Sequence, residues 1–143
     1  MISLLRKRCG EIRFVERDDS LELRDRLQNY FAGRRFDFDG IALDPGGTDF
    51  QKSVWAALRR IPAGATVAYG ELAKSLGLDI RLSRAVGHAN SLNPIAIIIP
   101  CHRVIGADGS LTGYAGGLER KRWLLAHEHA LSSPLLSTRE VAD

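Results

Sequence analysis

Two residues able to do covalent chemistry together stand side by side in this chain: Cys101 and His102, within Pro100-Cys101-His102-Arg103-Val104. The apolar run Ile95-Ala96-Ile97-Ile98-Ile99 precedes them and predicts a buried strand that delivers the cysteine. A structural cysteine is usually flanked by more apolar residues. Here the neighbours are a proline, which has no N–H to donate, and two side chains able to hold positive charge. Such charge favours the thiolate, the nucleophilic form, so the pattern reads Cys101 as a nucleophile.

A nucleophile needs a base, and a base needs orienting. His102 is adjacent, but sequence neighbours often point apart, so a third group is expected. In a last helix over about 118–128, Leu118, Leu124 and Leu125 mark an apolar side interrupted by Lys121. Glu128 falls near that side, where a carboxylate must find a partner or bear a desolvation cost. A Glu128–His102–Cys101 relay, direct or through a water, follows triad logic. The other reading places Glu128 on the exposed edge of a fraying helix end, and spacing alone leaves both open. Tyr69 and Tyr114 are polar aromatics near this site, and Asn93-Pro94 reads as a turn that Asn93 can cap.

The elements that position these residues are legible in outline. Leu23, Leu27 and Phe31 recur at helical spacing ahead of Gly33, predicting a helix over about 20–32. Ile12 with Phe14, and Phe36 with Phe38, alternate as short strands would. Asp44-Pro45-Gly46-Gly47 is the clearest boundary. It divides a lobe over 1–45 from a domain over 46–130, with a loose tail over 131–143. Thr48 and Gln51 fit a capping box opening a helix whose apolar face is Phe50, Val54, Trp55, Leu58 and Ile61. A helix over about Tyr69–Leu76, a loop over Leu78–Leu82 and a helix capped by Ser83 and reaching Ser91 make the pattern of a helix-turn-helix. That second helix opens with Arg84 and continues with small residues, Ala85 and Gly87 among them. Small residues allow a backbone to approach a phosphate-lined groove and leave Arg84 as a projecting probe. They equally suit tight core packing.

Composition narrows the class. At 143 residues with net charge +3, the chain can build a real core and is compatible with a polyanionic partner. No run of about 18 apolar residues or cleavable signal pattern stands out, so a soluble intracellular protein with no membrane partner is expected. Its two cysteines, Cys9 and Cys101, lie far apart, favouring a reduced compartment. No Cys/His cluster has zinc-ligand spacing, so no metal and no cofactor is expected.

Taken in order, Phe50-Gln51-x-x-Val54-Trp55, Ile61-Pro62-x-Gly64-x-x-x-x-Tyr69-x-x-Leu72-Ala73, Arg84-Ala85-Val86-Gly87, Asn93-Pro94, Pro100-Cys101-His102-Arg103-Val104, Tyr114-x-Gly116-Gly117 and Leu124-Leu125-x-x-Glu128 form an ordered set. The set resembles the O6-alkylguanine-DNA alkyltransferases over about residues 48–128. The resemblance implies an α+β fold: a shortened N-terminal α/β lobe, then a mainly helical domain with a helix-turn-helix and an active-site strand and turn. It implies a monomer, cytoplasmic and nucleoid-associated if prokaryotic, acting on double-stranded DNA that contains O6-alkylguanine, with O4-alkylthymine left open. Cys101 would accept the alkyl group once, with His102 and Glu128 as the activating relay and Tyr69 hydrogen-bonding the departing guanine at N3. Asn93 would brace the turn. Arg84 would replace the extruded base, with Ala85 and Gly87 along the groove. The backbone around Cys101 and Val104 would read the exocyclic amine, Arg103 would join the substrate and DNA contacts, and Tyr114, Ala115 and Gly116 would line the pocket near O6. Two other readings compete: a lesion-binding sensor that accepts no alkyl group, and a cysteine-based redox or alkylation sensor.

Overall fold

The computed structural model describes residues 2–13, 15 and 22–130 of the chain. Phe14, the first residues of the helix expected at 20–32, and the expected tail over 131–143 lie outside the described residues. In chain order the elements are α1 (Ile2–Cys9), α2 (Leu23–Phe31), α3 (Asp49–Arg59), β1 (Val67–Ala68), α4 (Tyr69–Ser75), a 3₁₀ turn (Ile80–Leu82), α5 (Ser83–Ser91), a second 3₁₀ turn (Cys101–Arg103), β2 (Val104–Ile105) and α6 (Leu118–His127). This is an α+β arrangement of helices around a very small sheet.

α3 forms where the sequence is most explicit. Thr48 Oγ1 accepts from the Gln51 amide at 3.1 Å, and Gln51 Oε1 accepts from the Thr48 amide at 3.0 Å. Thr48→Ala removes one half of that box and is expected to lower stability by about 1 kcal/mol, read as an earlier urea midpoint at unchanged slope. One face of α3 buries Val54, Trp55 and Leu58 against Leu72, Ala73, Val86, Ile99, Cys101 and Val104. The Trp55 indole donates to the Ala89 carbonyl at 2.9 Å, which satisfies its polar edge and ties α3 to α5. Each fully buried aliphatic side chain here contributes roughly 1.5–3 kcal/mol.

A second cluster gathers Tyr30, Phe38, Ile41, Ile98 and Leu124. It joins α2 and the segment after it to α6. Phe36 and Phe38 are not in a strand: their segment belongs to no ladder, and both rings close on Tyr30, with centroids 5.6 and 5.8 Å away. Aromatic packing, with no β pairing, accounts for their alternation. Ile12 also lies outside any strand, and α1 occupies a stretch where sequence periodicity was weak.

α4 and α5 differ from expectation at their join. Asp79 caps the 3₁₀ turn by accepting from the Arg81 amide at 2.8 Å, and Ser83 is the first residue of α5, with Leu82 at the N-cap. The 3₁₀ turn runs straight into α5, so Ser83 already has helical dihedrals (φ −57°, ψ −32°) and cannot cap.

The largest correction concerns residues 95–99, which form a tight turn and no strand. Ile97 sits at φ +74°, a left-handed conformation rare for a β-branched residue. The side chain of Asn93 replaces a ladder: its Nδ2 donates to the Ile99 carbonyl at 2.7 Å and its Oδ1 accepts from the Ile95 amide at 3.0 Å. In this part of the chain the strand follows the cysteine, as β2. β2 pairs in parallel with β1, Val67 with Val104 and Ala68 with Ile105. This short pairing matters because Tyr69 follows β1 directly and Cys101–Arg103 precede β2.

Candidate functional site

Cys101 opens the second 3₁₀ turn, 7% exposed and unpaired with any other cysteine. Its backbone amide donates to the Ile99 carbonyl at 2.8 Å, and Asn90 Nδ2 lies 3.4 Å from its carbonyl oxygen. The cysteine is therefore presented by a turn built from Asn90, Asn93 and Ile99.

Behind it lies a buried polar network. His102 Nε2 is 2.8 Å from Glu128 Oε1. Arg103 donates to Glu128 through Nε at 2.9 Å and Nη2 at 2.9 Å, and to the Ile61 carbonyl through Nη1 at 2.6 Å. The Tyr30 hydroxyl donates to Glu128 Oε1 at 2.6 Å. Glu128 is 2% exposed, so the fraying-edge alternative is excluded. Burial alone would raise its carboxyl; hydrogen bonds from His102, Arg103 and Tyr30 outweigh that and hold it at about 2. The ionised carboxylate fixes His102 with its Nε2 proton toward Glu128. Nδ1, buried and without a protein partner among the described residues, is then left as an acceptor.

The electrostatics revise the reading of the Cys-His-Arg run. Burial lowers the His102 pKa more than Glu128 raises it, so the imidazole is neutral at physiological pH. Arg103 is also redirected. The sequence reading grouped it with DNA contacts, yet it is 6% exposed and its guanidinium is held by Glu128 and the Ile61 carbonyl. Burial pushes the Cys101 thiol up, and the Asn93 hydrogen bond and the Lys121 charge offset this only in part. The resting group is a thiol beside a neutral base, and the thiolate has to be made in place.

Cys101 faces a cavity of about 450 Å³, within the range of small-molecule sites. Asn93, Tyr114, Ala115 and Gly116 line it, together with Phe31 and Trp123 from α2 and α6. A Cβ on Gly116 would meet the Tyr114 ring at 2.8 Å, so only glycine lets that ring lie where it does. Burial raises the Tyr114 hydroxyl to about 12. Tyr69 is half-buried and donates to the Thr112 carbonyl at 3.2 Å; burial keeps its phenol protonated. Val104 is fully buried in β2. Arg84 and Ala85 are exposed at the start of α5. Gly87 faces inward, where a Cβ would stand 3.4 Å from the Tyr69 ring. That distance is ordinary van der Waals contact.

The DNA-binding domain of 6-O-methylguanine DNA methyltransferase, as a family, matches residues 49–130. The chain belongs to this family. The methylated-DNA–protein-cysteine methyltransferase of Salmonella typhimurium is 56% identical over 106 residues, which make up 74% of this chain and 61% of that protein. That of Methanosarcina acetivorans is 61% identical over 102 residues, covering 71% of this chain and 64% of its own length. The chain thus spans less than two thirds of the length of these relatives. The crystal structure of Mycobacterium tuberculosis OGT in complex with DNA superposes with a TM-score of 0.71 at 52% identity, covering 85% of this chain and 67% of that one.

Within this methyltransferase-family domain, the matched stretch holds Cys101, His102, Glu128, Tyr69 and Asn93 but not Tyr30, which reaches the Glu128 carboxylate from α2. Tyr30 escaped the sequence reading. Its only signal was a tyrosine on an otherwise apolar helix face, a residue whose hydroxyl must find a partner when buried. Asn90 was missed as well, its amide indistinguishable in sequence from a surface residue of α5.

Proposed function

We propose that this chain repairs DNA by transferring the alkyl group of O6-alkylguanine in a duplex irreversibly to its own Cys101. The observation that carries this reading is a buried thiol facing a base-sized cavity, backed by a neutral imidazole on an ionised glutamate. Family membership supports it. The names of the relatives and the DNA complex of the Mycobacterium tuberculosis protein support DNA as the partner.

In this reading α4 and α5 act as a helix-turn-helix placed in the minor groove. Exposed Arg84 fills the gap left by an extruded guanine, and exposed Ala85 permits close backbone approach. Alkylation at O6 weakens base pairing, so extrusion costs less than for a normal guanine. Residues 46–130 form the working domain and residues 1–45 a first lobe. The protein acts as an intracellular monomer.

His102 Nδ1 takes the Cys101 proton, directly or across one water. The thiolate attacks the alkyl carbon in line, forming the C–S bond as the C–O6 bond breaks with its electron pair moving onto the purine. Tyr69 delivers a proton to N3, and the imidazolium proton replaces it on the phenol. In sum, the thiol proton and the alkyl group exchange places. The thioether is a poor leaving group and Cys9 lies on the exposed surface of α1, so no second thiol releases it. Each chain reacts once.

The test is intact-protein mass after mixing with a duplex holding one O6-methylguanine, beside a Cys101→Ala control. A gain of one methyl group, mapped to the Cys101 peptide and absent from the control, is expected. Binding to the lesion duplex without any mass gain would replace this reading with that of a non-covalent lesion binder.

A further inference from the structure

The steps above leave Lys121 without a role, although it is a fully buried cation on α6. Its Nζ donates to the Val104 carbonyl at 2.6 Å and to the Thr112 carbonyl at 2.8 Å. Thr112 accepts a second bond on the same oxygen, from the Tyr69 hydroxyl at 3.2 Å. One carbonyl is therefore shared between a phenol and an ammonium, and the ammonium holds it at the shorter distance.

That sharing has a chemical consequence. Tyr69 has a single hydroxyl proton, and at rest it points at Thr112. Delivering it to a bound base means giving up that bond. A partly buried carbonyl stripped of its donor opposes such a change, because the orphaned group bears a desolvation penalty. Here the oxygen keeps a charge-assisted donor whichever way Tyr69 turns. The Val104 contact adds to this, since Val104 pairs with Val67 in the strand that leads directly into Tyr69. Burial lowers the Lys121 pKa to about 8, with Cys101 opposing the shift, so the group is mostly charged at neutral pH.

We infer that Lys121 is a positioning residue: it keeps the Thr112 carbonyl satisfied so that the Tyr69 hydroxyl can turn from the protein to N3 of the leaving guanine. The inference rests on the repair reading, which supplies the N3 acceptor. A lysine serving only to pack α6 against the loop would affect every substrate alike. The shared acceptor predicts that its effect depends on whether the substrate calls on Tyr69.

The experiment compares single-turnover transfer from two duplexes at saturating DNA, one with O6-methylguanine and one with O6-methyl-3-deazaguanine, which has no N3 acceptor. Lys121→Met is expected to slow transfer from the first by roughly tenfold, the lower part of the range for an orphaned carbonyl, since Thr112 is partly buried. Transfer from the second should change by less than about threefold, and the Lys121→Met effect should vanish in a Tyr69→Phe background. Lys121→Arg, which keeps a cationic donor for Thr112, should hold the wild-type ratio of the two rates. Because the ratio is taken within one protein, lost stability lowers neither rate selectively. Equal slowing on both duplexes, additivity with Tyr69→Phe, or an Arg variant that behaves like Met would each overturn the inference. Absence of transfer by the wild-type protein from the O6-methylguanine duplex is a separate failure, that of the repair reading itself.

Discussion

Glu128→Ala is expected to lower the stability of this protein by about 3–5 kcal/mol and, on the proposed function, to remove most of the alkyl transfer with it. The carboxylate accepts hydrogen bonds from His102, Arg103 and Tyr30, and all three partners are buried. Alanine leaves the Arg103 guanidinium uncompensated in a site 6% exposed, which is the costly way to break a buried pair. A loss of this size is a large share of the total stability of a small domain and should depress the melting temperature by about 10 °C or more. Glu128→Gln keeps an acceptor but not the charge, so it should recover only part of the loss. The pH dependence has a definite sign. The folded carboxyl titrates at about 2 against an ordinary 4.5, so its contribution is present above 4.5 and fades as pH falls toward 2. His102, depressed by burial from 6.5, adds a loss that begins as pH drops below that value. Melting curves from pH 7 to 2 should therefore fall steadily for the wild type and more shallowly for Glu128→Gln between 4.5 and 2. A melting temperature within a couple of degrees of wild type for Glu128→Ala would show that the network contributes little.

The second large effect is expected at Asn93. Its side chain holds both ends of the turn that carries Ile97 at φ +74° and sets the position of Cys101. Asn93→Ala leaves the buried Ile99 carbonyl and the Ile95 amide without these partners and also removes the hydrogen bond that favours the Cys101 thiolate. A strained turn persists only while its surroundings enforce it, so the thiol should drift from the line of attack. A misplacement of about 1 Å costs on the order of a hundredfold in rate. Asn93→Asp should be worse, since a carboxylate beside the Ile99 carbonyl and the thiol opposes thiolate formation. Single-turnover transfer is the measurement. Rates within about threefold of wild type for Asn93→Ala would mean that backbone bonds alone, such as the Cys101 amide to the Ile99 carbonyl, place the nucleophile.

These two residues also show how far the sequence could be read. Local signals were legible: the Thr48 and Gln51 box, the end of the helix near Leu76 and the apolar face of α3 all act within a few residues. The run at 95–99 misled because isoleucines mimic a strand, and nothing local shows that Asn93 supplies the bonds a neighbouring strand would have supplied. Arg103 was misplaced for the opposite reason. Its fate is decided by Ile61 and Glu128, far away in sequence, and an arginine beside a nucleophile looks the same whether it faces DNA or a buried carboxylate. Glu128 itself was readable as a candidate because helical spacing put it near an apolar face. Choosing between partner and edge needed the third dimension.

The hydroxyl of Tyr30 bonded to Glu128 bears on where this protein could be cut. Composition draws its sharpest line at Asp44-Pro45-Gly46-Gly47, and the family match begins just beyond it. Cooperativity does not follow that line. Tyr30, Phe38 and Ile41 close over Ile98 and Leu124, and the Tyr30 hydroxyl completes the shell of the carboxylate that orients His102. A fragment starting at residue 46 would keep Cys101, His102 and Glu128 yet expose one side of α6 and unseat the glutamate. The unit expected to fold as one body therefore begins upstream of the stretch that holds Cys101, His102 and Glu128, near the start of α2.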